Sequence, residues 1–165
     1  TEFYAGVSSN TTYNCNYNCF DLDWPKISIL SCSYMKSIDG TIGAIKNLNT
    51  LKTLNLNYDS IIDLKGIEKL NNLTGLQLYN NQIKDVHNLE NLKNIVKLNL
   101  NNNCLYDDTT FFNDNNEKIK VKNLEILANM NRTGALRELY LSGNTGITDW
   151  SILSNITNWT GKSGW

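Results

Sequence analysis

The chain has almost no net charge, since fifteen basic residues nearly cancel sixteen acidic ones and leave a formal charge of -1. That balance excludes a global field able to recruit nucleic acid or an anionic membrane. No stretch approaches the roughly 20 consecutive apolar residues of a membrane span. The opening TEFYAGVSSN has no charged segment followed by an apolar run. Neither nucleic-acid binding nor direct membrane insertion of this segment is expected. Because the first residue is Thr1 and not Met, a matured or trimmed product is expected.

Histidine occurs once, at His87, flanked by Val86 and Leu89 on what reads as a return between strands. No serine or cysteine is assigned beside it, so the pairing that nucleophilic catalysis needs is missing. The chain reads as a non-enzyme, with no catalytic residue, cofactor or metal assigned. Four cysteines, Cys15, Cys19, Cys32 and Cys104, could form two bridges in an oxidising compartment, with the pairing open. Cys15 and Cys19 read C-N-Y-N-C, too wide for a CxxC redox pair, and no second close Cys or His pair completes a zinc site. Asp107, Asp108, Asp114 and Glu117 lack the Gly at position six and the final bidentate Glu of an EF-hand loop. They read as a solvated acidic loop. Sequons at Asn10, Asn72, Asn131, Asn155 and Asn158 would matter only in a eukaryotic secretory pathway.

What the chain does have is an internal repeat. LKTLNLNYDSIIDLKGIEKLNN (51 to 72) aligns with LTGLQLYNNQIKDVHNLENLKN (73 to 94) at a period of 22. Leu51, Leu54, Leu56, Ile61, Leu64, Ile67 and Leu70 fall on Leu73, Leu76, Leu78, Ile83, Val86, Leu89 and Leu92. A third unit opens with Ile95, Leu98, Leu100, Asn103 and Leu105, and another with Leu136, Leu139, Leu141 and Asn144, continued by Ile147, Trp150, Leu153 and Ile156. Upstream, Ile27, Leu30 and Cys32 read as a worn first strand, with Ile38, Ile42, Ile45 and Leu48 as its return.

In LxxLxL the two leucines around one residue point the same way off a short strand, inward, while their neighbours point outward. The chain then turns at Asp59, Asn81, Asn103 or Asn144, whose side chains can satisfy backbone groups left unpaired by the turn. Apolar residues at intervals of three suit a tight 3₁₀ or helical return. The fold expected is therefore an α/β leucine-rich-repeat solenoid. It has a concave parallel sheet of five to six short strands and convex 3₁₀ or helical returns. With 41 % apolar and 19 % charged residues over 165 positions, a single domain with one continuous core is the default.

The step from Ile95 to Leu136 is 41 residues, nineteen longer than one period. Ile119 and Val121 alternate as a strand would, close to one period after Leu98 and Leu100. Leu124, Leu127 and Met130 then continue at spacing three. A degenerate extra repeat, with a strand near 116 to 121 and NLEILANMN as a helical return ended by Gly134, is favoured over a loop insertion. Open solenoid ends require caps. Residues 1–26, with Tyr4, Tyr13, Tyr17, Phe20, Leu22 and Trp24 and closed by Pro25, read as the N-terminal cap. Residues 27–157 carry the repeats, irregular at 106–134, and 158–165, with Trp159 and Trp165 as lids, form the C-terminal cap.

Outward strand positions are those the core does not dictate. The candidate partner-binding residues are Asn55, Asn57, Gln77, Tyr79, Lys97, Asn99, Asn101, Arg137, Glu138 and Tyr140. Tyr79 and Tyr140 are the expected anchors, since a ring on a rigid sheet contributes apolar area and a hydroxyl at small entropic cost. The competing reading is that asparagine and lysine abound here and the Asn rows are merely solvated. A carbohydrate ligand on the tryptophans is a lesser alternative to a protein partner.

At NNLTGLQLYNNQIKDVHNLENLKNIVKLNLNNN the chain resembles internalin-like bacterial surface proteins in the 22-residue length, the LTxLxLxxNQIxD run and the LxxLxN return. The resemblance implies a secreted or cell-surface bacterial module that recognises a protein, host or surface-borne, through its concave face. Its alternatives are a structural surface-fibre or pilin-like subunit displaying the domain, or an intracellular regulatory scaffold such as a phosphatase-regulatory subunit, which uses the same repeat length. The repeat is specific for fold and weakly specific for function.

Overall fold

A computed structural model of the chain describes residues 12–14, 28–31 and 50–165. The expected strand residues Ile27 and Cys32 lie outside them, as do most of the N-terminal cap and the cysteines Cys15 and Cys19. Among the described residues, seven three-residue strands form one parallel sheet: β1 (Thr12–Asn14), β2 (Ile29–Ser31), β3 (Thr53–Asn55), β4 (Gly75–Gln77), β5 (Lys97–Asn99), β8 (Glu138–Tyr140) and β9 (Gly161–Ser163). Two further strands, β6 (Asp108–Phe112) and β7 (Lys118–Lys122), make a separate antiparallel hairpin, followed by the helix α1 (Asn123–Thr133). A short helix, α2 (Ser151–Ser154), lies between β8 and β9.

The repeat period becomes sheet register without slippage. Leu54 pairs with Leu76, Leu76 with Leu98, and Leu98 with Leu139, so the middle residue of each strand stacks on its equivalent. Each is fully buried. The flanking residues of β3, β4 and β8 are half-buried on the other face, as period-2 alternation requires. One carbonyl per unit receives two N–H groups from the next: Lys52 O from Thr74 and Gly75, Thr74 O from Val96 and Lys97, Val96 O from Arg137 and Glu138. The expected 3₁₀ returns occur at Ile67–Lys69 and His87–Leu89, burying Ile67 and Leu89 at the interval-of-three positions. Every fully buried leucine contributes on the order of 1.5–3 kcal/mol relative to exposure.

The turn residues form the polar ladder. Asn81 Oδ1 accepts from the N–H of Asp59 (3.1 Å) and Ile61 (2.9 Å), and its Nδ2 donates to Leu56 O (2.8 Å) and Leu78 O (3.0 Å). Asn103 repeats the pattern toward Ile83, Leu78 and Leu100, and Asn144 toward Leu105, Leu100 and Leu141. An asparagine fits this slot because one short side chain carries both a donor and an acceptor.

The expected extra parallel strand near 116 is not in the sheet: β5 pairs directly with β8, and Ile119 and Val121 lie instead on the second arm of the hairpin. The alternation there is real, but its partner is the preceding run DTTFF. Phe111 pairs with Ile119 and Thr109 with Val121 across the turn at Asn113 to Glu117. Lys118, Lys120 and Lys122 occupy the exposed face. The helical return is present as α1, whose Leu124, Leu127, Ala128 and Met130 enter the common core. Asn123 locks it down: its Oδ1 accepts from Val86 N (2.9 Å) and its Nδ2 donates to the carbonyls of Lys84 (3.1 Å) and Tyr106 (2.9 Å).

The C-terminal tryptophans pack as lids on the core, with Trp150 and Trp165 stacked at 5.8 Å and Trp159 edge-on to Trp165 at 5.9 Å. The C-terminal residues also supply a strand. In β9 the position opposite Leu139 is Lys162, so the apolar seam of the sheet ends on a charge. Among the described residues no helix is long and apolar enough to cross a membrane, and no three His, Cys, Asp or Glu side chains gather as they would around a metal ion. Cys104 is an exposed free thiol.

Candidate functional site

The outward face of β3, β4, β5 and β8 carries the residues that the sequence marks for partner binding, and the structure divides them into three groups. In the first, Lys97, Glu138 and Tyr140 contact one another. Lys97 Nζ lies 3.0 Å from Glu138 Oε2 and 5.5 Å from the centre of the Tyr140 ring, while the Tyr140 hydroxyl donates to Glu138 Oε2 at 3.1 Å. Lys97 holds the Glu138 carboxyl below the usual glutamate range, helped by Tyr140, and Glu138 raises the Lys97 ammonium in turn. The two charges are therefore largely spent on each other.

The second group is the asparagines, which are not merely solvated. Asn55 Oδ1 accepts from Asn57 N at 3.1 Å, Asn57 Oδ1 accepts from Tyr79 N at 2.7 Å, and Asn99 Oδ1 accepts from Asn101 N at 3.0 Å. Asn101 Oδ1 takes the Ser163 hydroxyl at 3.2 Å. These amide oxygens stiffen the strand ends, so this face is already ordered. Gln77 sits half-buried at the centre of the lattice. Arg137 stands apart from it: its guanidinium donates to the carbonyls of Asn131 (2.9 Å), Gly134 (3.3 Å) and Leu136 (2.7 Å), closing the C-terminal end of α1.

The third group is aromatic. Tyr79 meets the ring of Tyr58 edge-on at 5.0 Å. Tyr58 is a residue that pattern reading passes over, and it has left-handed backbone with φ 66°. Its counterparts one and two periods on, Asn80 (φ 57°) and Asn102 (φ 52°), share that conformation, as does Gly143 (φ 80°) in the later unit. Asn and Gly tolerate it, whereas a bulky residue there is an outlier. The signal was therefore available in the repeat alignment, as a tyrosine in an Asn/Gly column.

The convex side has features of its own. His87 bonds to Asp85 and stacks on Phe111 of the hairpin at 3.8 Å with 8° between the planes. One groove of about 430 Å³ runs between His87, Phe111, Lys120 and Ile126, and another of about 410 Å³ between Ile62, Lys84, Tyr106 and Thr109. Most lysines here are paired, Lys120 with Asp108 at 2.6 Å and Lys122 with Glu125 at 2.8 Å. The acidic residues of this segment are dispersed into structural roles: Asp107 accepts from Thr148 N and Asp149 N, and Asp114 pairs with Lys65.

Against solved structures the same architecture returns. An internalin from Listeria monocytogenes superposes with a TM-score of 0.61 at 24 % identity, over 85 % of this chain and 34 % of its own. Internalin C2 from the same species superposes at 0.58 with 26 % identity, over 84 % and 61 %. The chain carries an internalin-like leucine-rich-repeat fold. It spans about a third of the first internalin and three fifths of the second. No protein-family model and no curated protein sequence matches the chain. The internalin-like sheet is thus placed by its three-dimensional course and its repeat.

Proposed function

We propose that this chain is a non-catalytic module that binds a protein partner across the concave face of its sheet, within a secreted or cell-surface bacterial adhesion protein. The observation that carries the reading is the chemistry of that face. Two tyrosine clusters, Tyr58 with Tyr79 and Tyr140 with Lys97, stand on a backbone ordered by its own asparagines, and the Lys97–Glu138 salt bridge between them is internally neutralised. Rigid aromatics on a pre-ordered surface are what protein hot spots are made of, because little entropy is lost on binding. The internalin-like fold supports the surface-protein setting and a host or surface-borne protein as partner.

The test is recovery of partners on the immobilised chain, followed by affinity measurement with Tyr79→Ala and Tyr140→Ala combined. Affinity should fall by about tenfold or more, the loss expected of hot-spot residues, with the circular dichroism unchanged. Unchanged affinity would move the site off the concave face, to the hairpin and helix at 106–134.

A further inference from the structure

Two glycines occupy one lateral row of the concave sheet, which runs Thr53, Gly75, Lys97, Glu138, Gly161 across β3, β4, β5, β8 and β9. Glycine weakens a strand, and inside one it commonly marks a bend or a place where another group approaches closely. The two gaps are treated differently. At Gly161 the gap is filled from within: a Cβ built there would meet the Tyr140 hydroxyl at 2.6 Å and its ring carbon at 3.5 Å. Tyr140 lies across the missing side chain, and Gly161 is required for it to do so.

At Gly75 nothing of that kind occurs. A Cβ would meet only the Thr53 side chain, at an ordinary 3.6 Å, and the backbone is not left-handed. The fold does not need glycine here. The neighbour on the other side, Lys97, leans away from β4, toward Glu138 at 3.0 Å and Tyr140. The result is a gap floored by backbone, walled by Thr53 and the Lys97 stem, with Gln77 and Tyr79 following along the same outward side of the chain. Aromatic side chains are the residues that cover sheet glycines well, since a flat ring lies against the bare peptide plane. At Gly161 the chain supplies the tip of such a ring, the Tyr140 hydroxyl and Cζ, over the missing side chain, beside the Glu138 stem.

We propose that the uncovered gap at Gly75 seats an aromatic side chain of the protein partner, making Gly75 a specificity-determining position of the concave face. The inference rests on the concave-face reading above. The occupant is uncharged because the neighbouring charges, Lys97 and Glu138, already neutralise each other. Among the described residues, Gly75 and Gly161 share this row, but at Gly75 no side chain from the Lys97 strand closes over the missing Cβ, so a ring there comes from outside.

The probe is N-acetyl-tyrosinamide, with N-acetyl-leucinamide as its aliphatic control, titrated into the isotope-labelled chain and followed by amide NMR shifts. Saturable shifts at Thr53, Gly75 and Lys97 are expected from the tyrosine probe, and at least fivefold smaller ones from the leucine control. Gly75→Thr, which has room for its Cβ and melts no lower than the parent, should abolish them. Tyr140→Ala, by uncovering Gly161, should create a second set of tyrosine-dependent shifts there. Absence of shifts at Gly75, equal shifts from the leucine probe, or persistence in Gly75→Thr would overturn the proposal. Any of these leaves the concave-face reading standing, because that is decided separately by the partner's affinity for the Tyr79 and Tyr140 double variant.

Discussion

Replacing Asn81 by alanine should cost markedly more than the same change at Asn103, although the two occupy the same slot one period apart. The difference follows from which ladder groups have a second partner. Asn81 Oδ1 is the acceptor for two buried N–H groups, of Asp59 and Ile61, and its Nδ2 donates to Leu56 O and Leu78 O. Leu78 O also receives Asn103 Nδ2 at 2.8 Å, so it stays paired. The substitution thus removes partners from two donors and one acceptor. At about 1–3 kcal/mol for each buried group left unmade, and with non-additivity, the loss is about 3–5 kcal/mol. Asn103 is the acceptor of Ile83 N alone. Its carbonyl contacts are shared, Leu78 O with Asn81 and Leu100 O with Asn144. Its loss should be about 1–2 kcal/mol. Urea unfolding followed by far-ultraviolet circular dichroism gives both values from midpoint shifts at constant slope. Equal losses, or a larger one at Asn103, would refute the view that shared carbonyl acceptors buffer the ladder.

Tyr58→Asn should stabilise the chain by about 1 kcal/mol, because a left-handed non-glycine conformation costs about 1–3 kcal/mol while the edge-on pair with Tyr79 returns only about 0.5–1.5 kcal/mol. Thermal melting checks this, and partner affinity should fall even as stability rises. Phe111→Ala should loosen the hairpin without touching the repeats, so hydrogen exchange would quicken over 108–122 while Leu54, Leu76 and Leu98 amides stay protected; global destabilisation would contradict it. Acid should open the turn at 147–150. The Thr148 hydroxyl, with the Thr148 and Asp149 N–H groups, holds the Asp107 carboxyl below its ordinary 3.8. A folded value lower than the unfolded one means the stabilisation is complete above 3.8 and lost as pH falls through the folded value. Protection of the Thr148 amide, its exchange rate relative to the intrinsic rate at the same pH, should therefore fall below that pH in the parent and stay low and independent of pH in Asp107→Ala.

Much of the fold was legible before any coordinates. A 22-residue period with alternating leucines leaves only one way to bury every inward side chain, a stack of parallel strands, and Leu54, Leu76, Leu98 and Leu139 sit in register for that reason. The ladder was equally legible, since Asn81, Asn103 and Asn144 each carry a separate amide donor and carbonyl acceptor on a short stem. Misreading began where period and alternation pointed to different partners. Ile119 and Val121 lie about one period after Leu98 and Leu100, yet Thr109 and Phe111, a few residues away, offered the shorter loop to close, and the hairpin formed locally. Sequence also placed Arg137 on the binding lattice, where the carbonyls at the end of α1 capture it instead.

The repeat, the inward core and the outward lattice follow from residue order alone, because burial periodicity is a property of neighbours along the chain. Which outward side chains are occupied with one another, and which gaps stay open, depends on how the repeats stack. The Lys97, Glu138 and Tyr140 cluster and the Tyr58 and Tyr79 pair join residues from different repeats. The same is true of the glycines: Gly75 and Gly161 look alike in the sequence, and it is the Tyr140 hydroxyl and the Glu138 stem on the neighbouring strand that fill one, while Gly75 meets only Thr53.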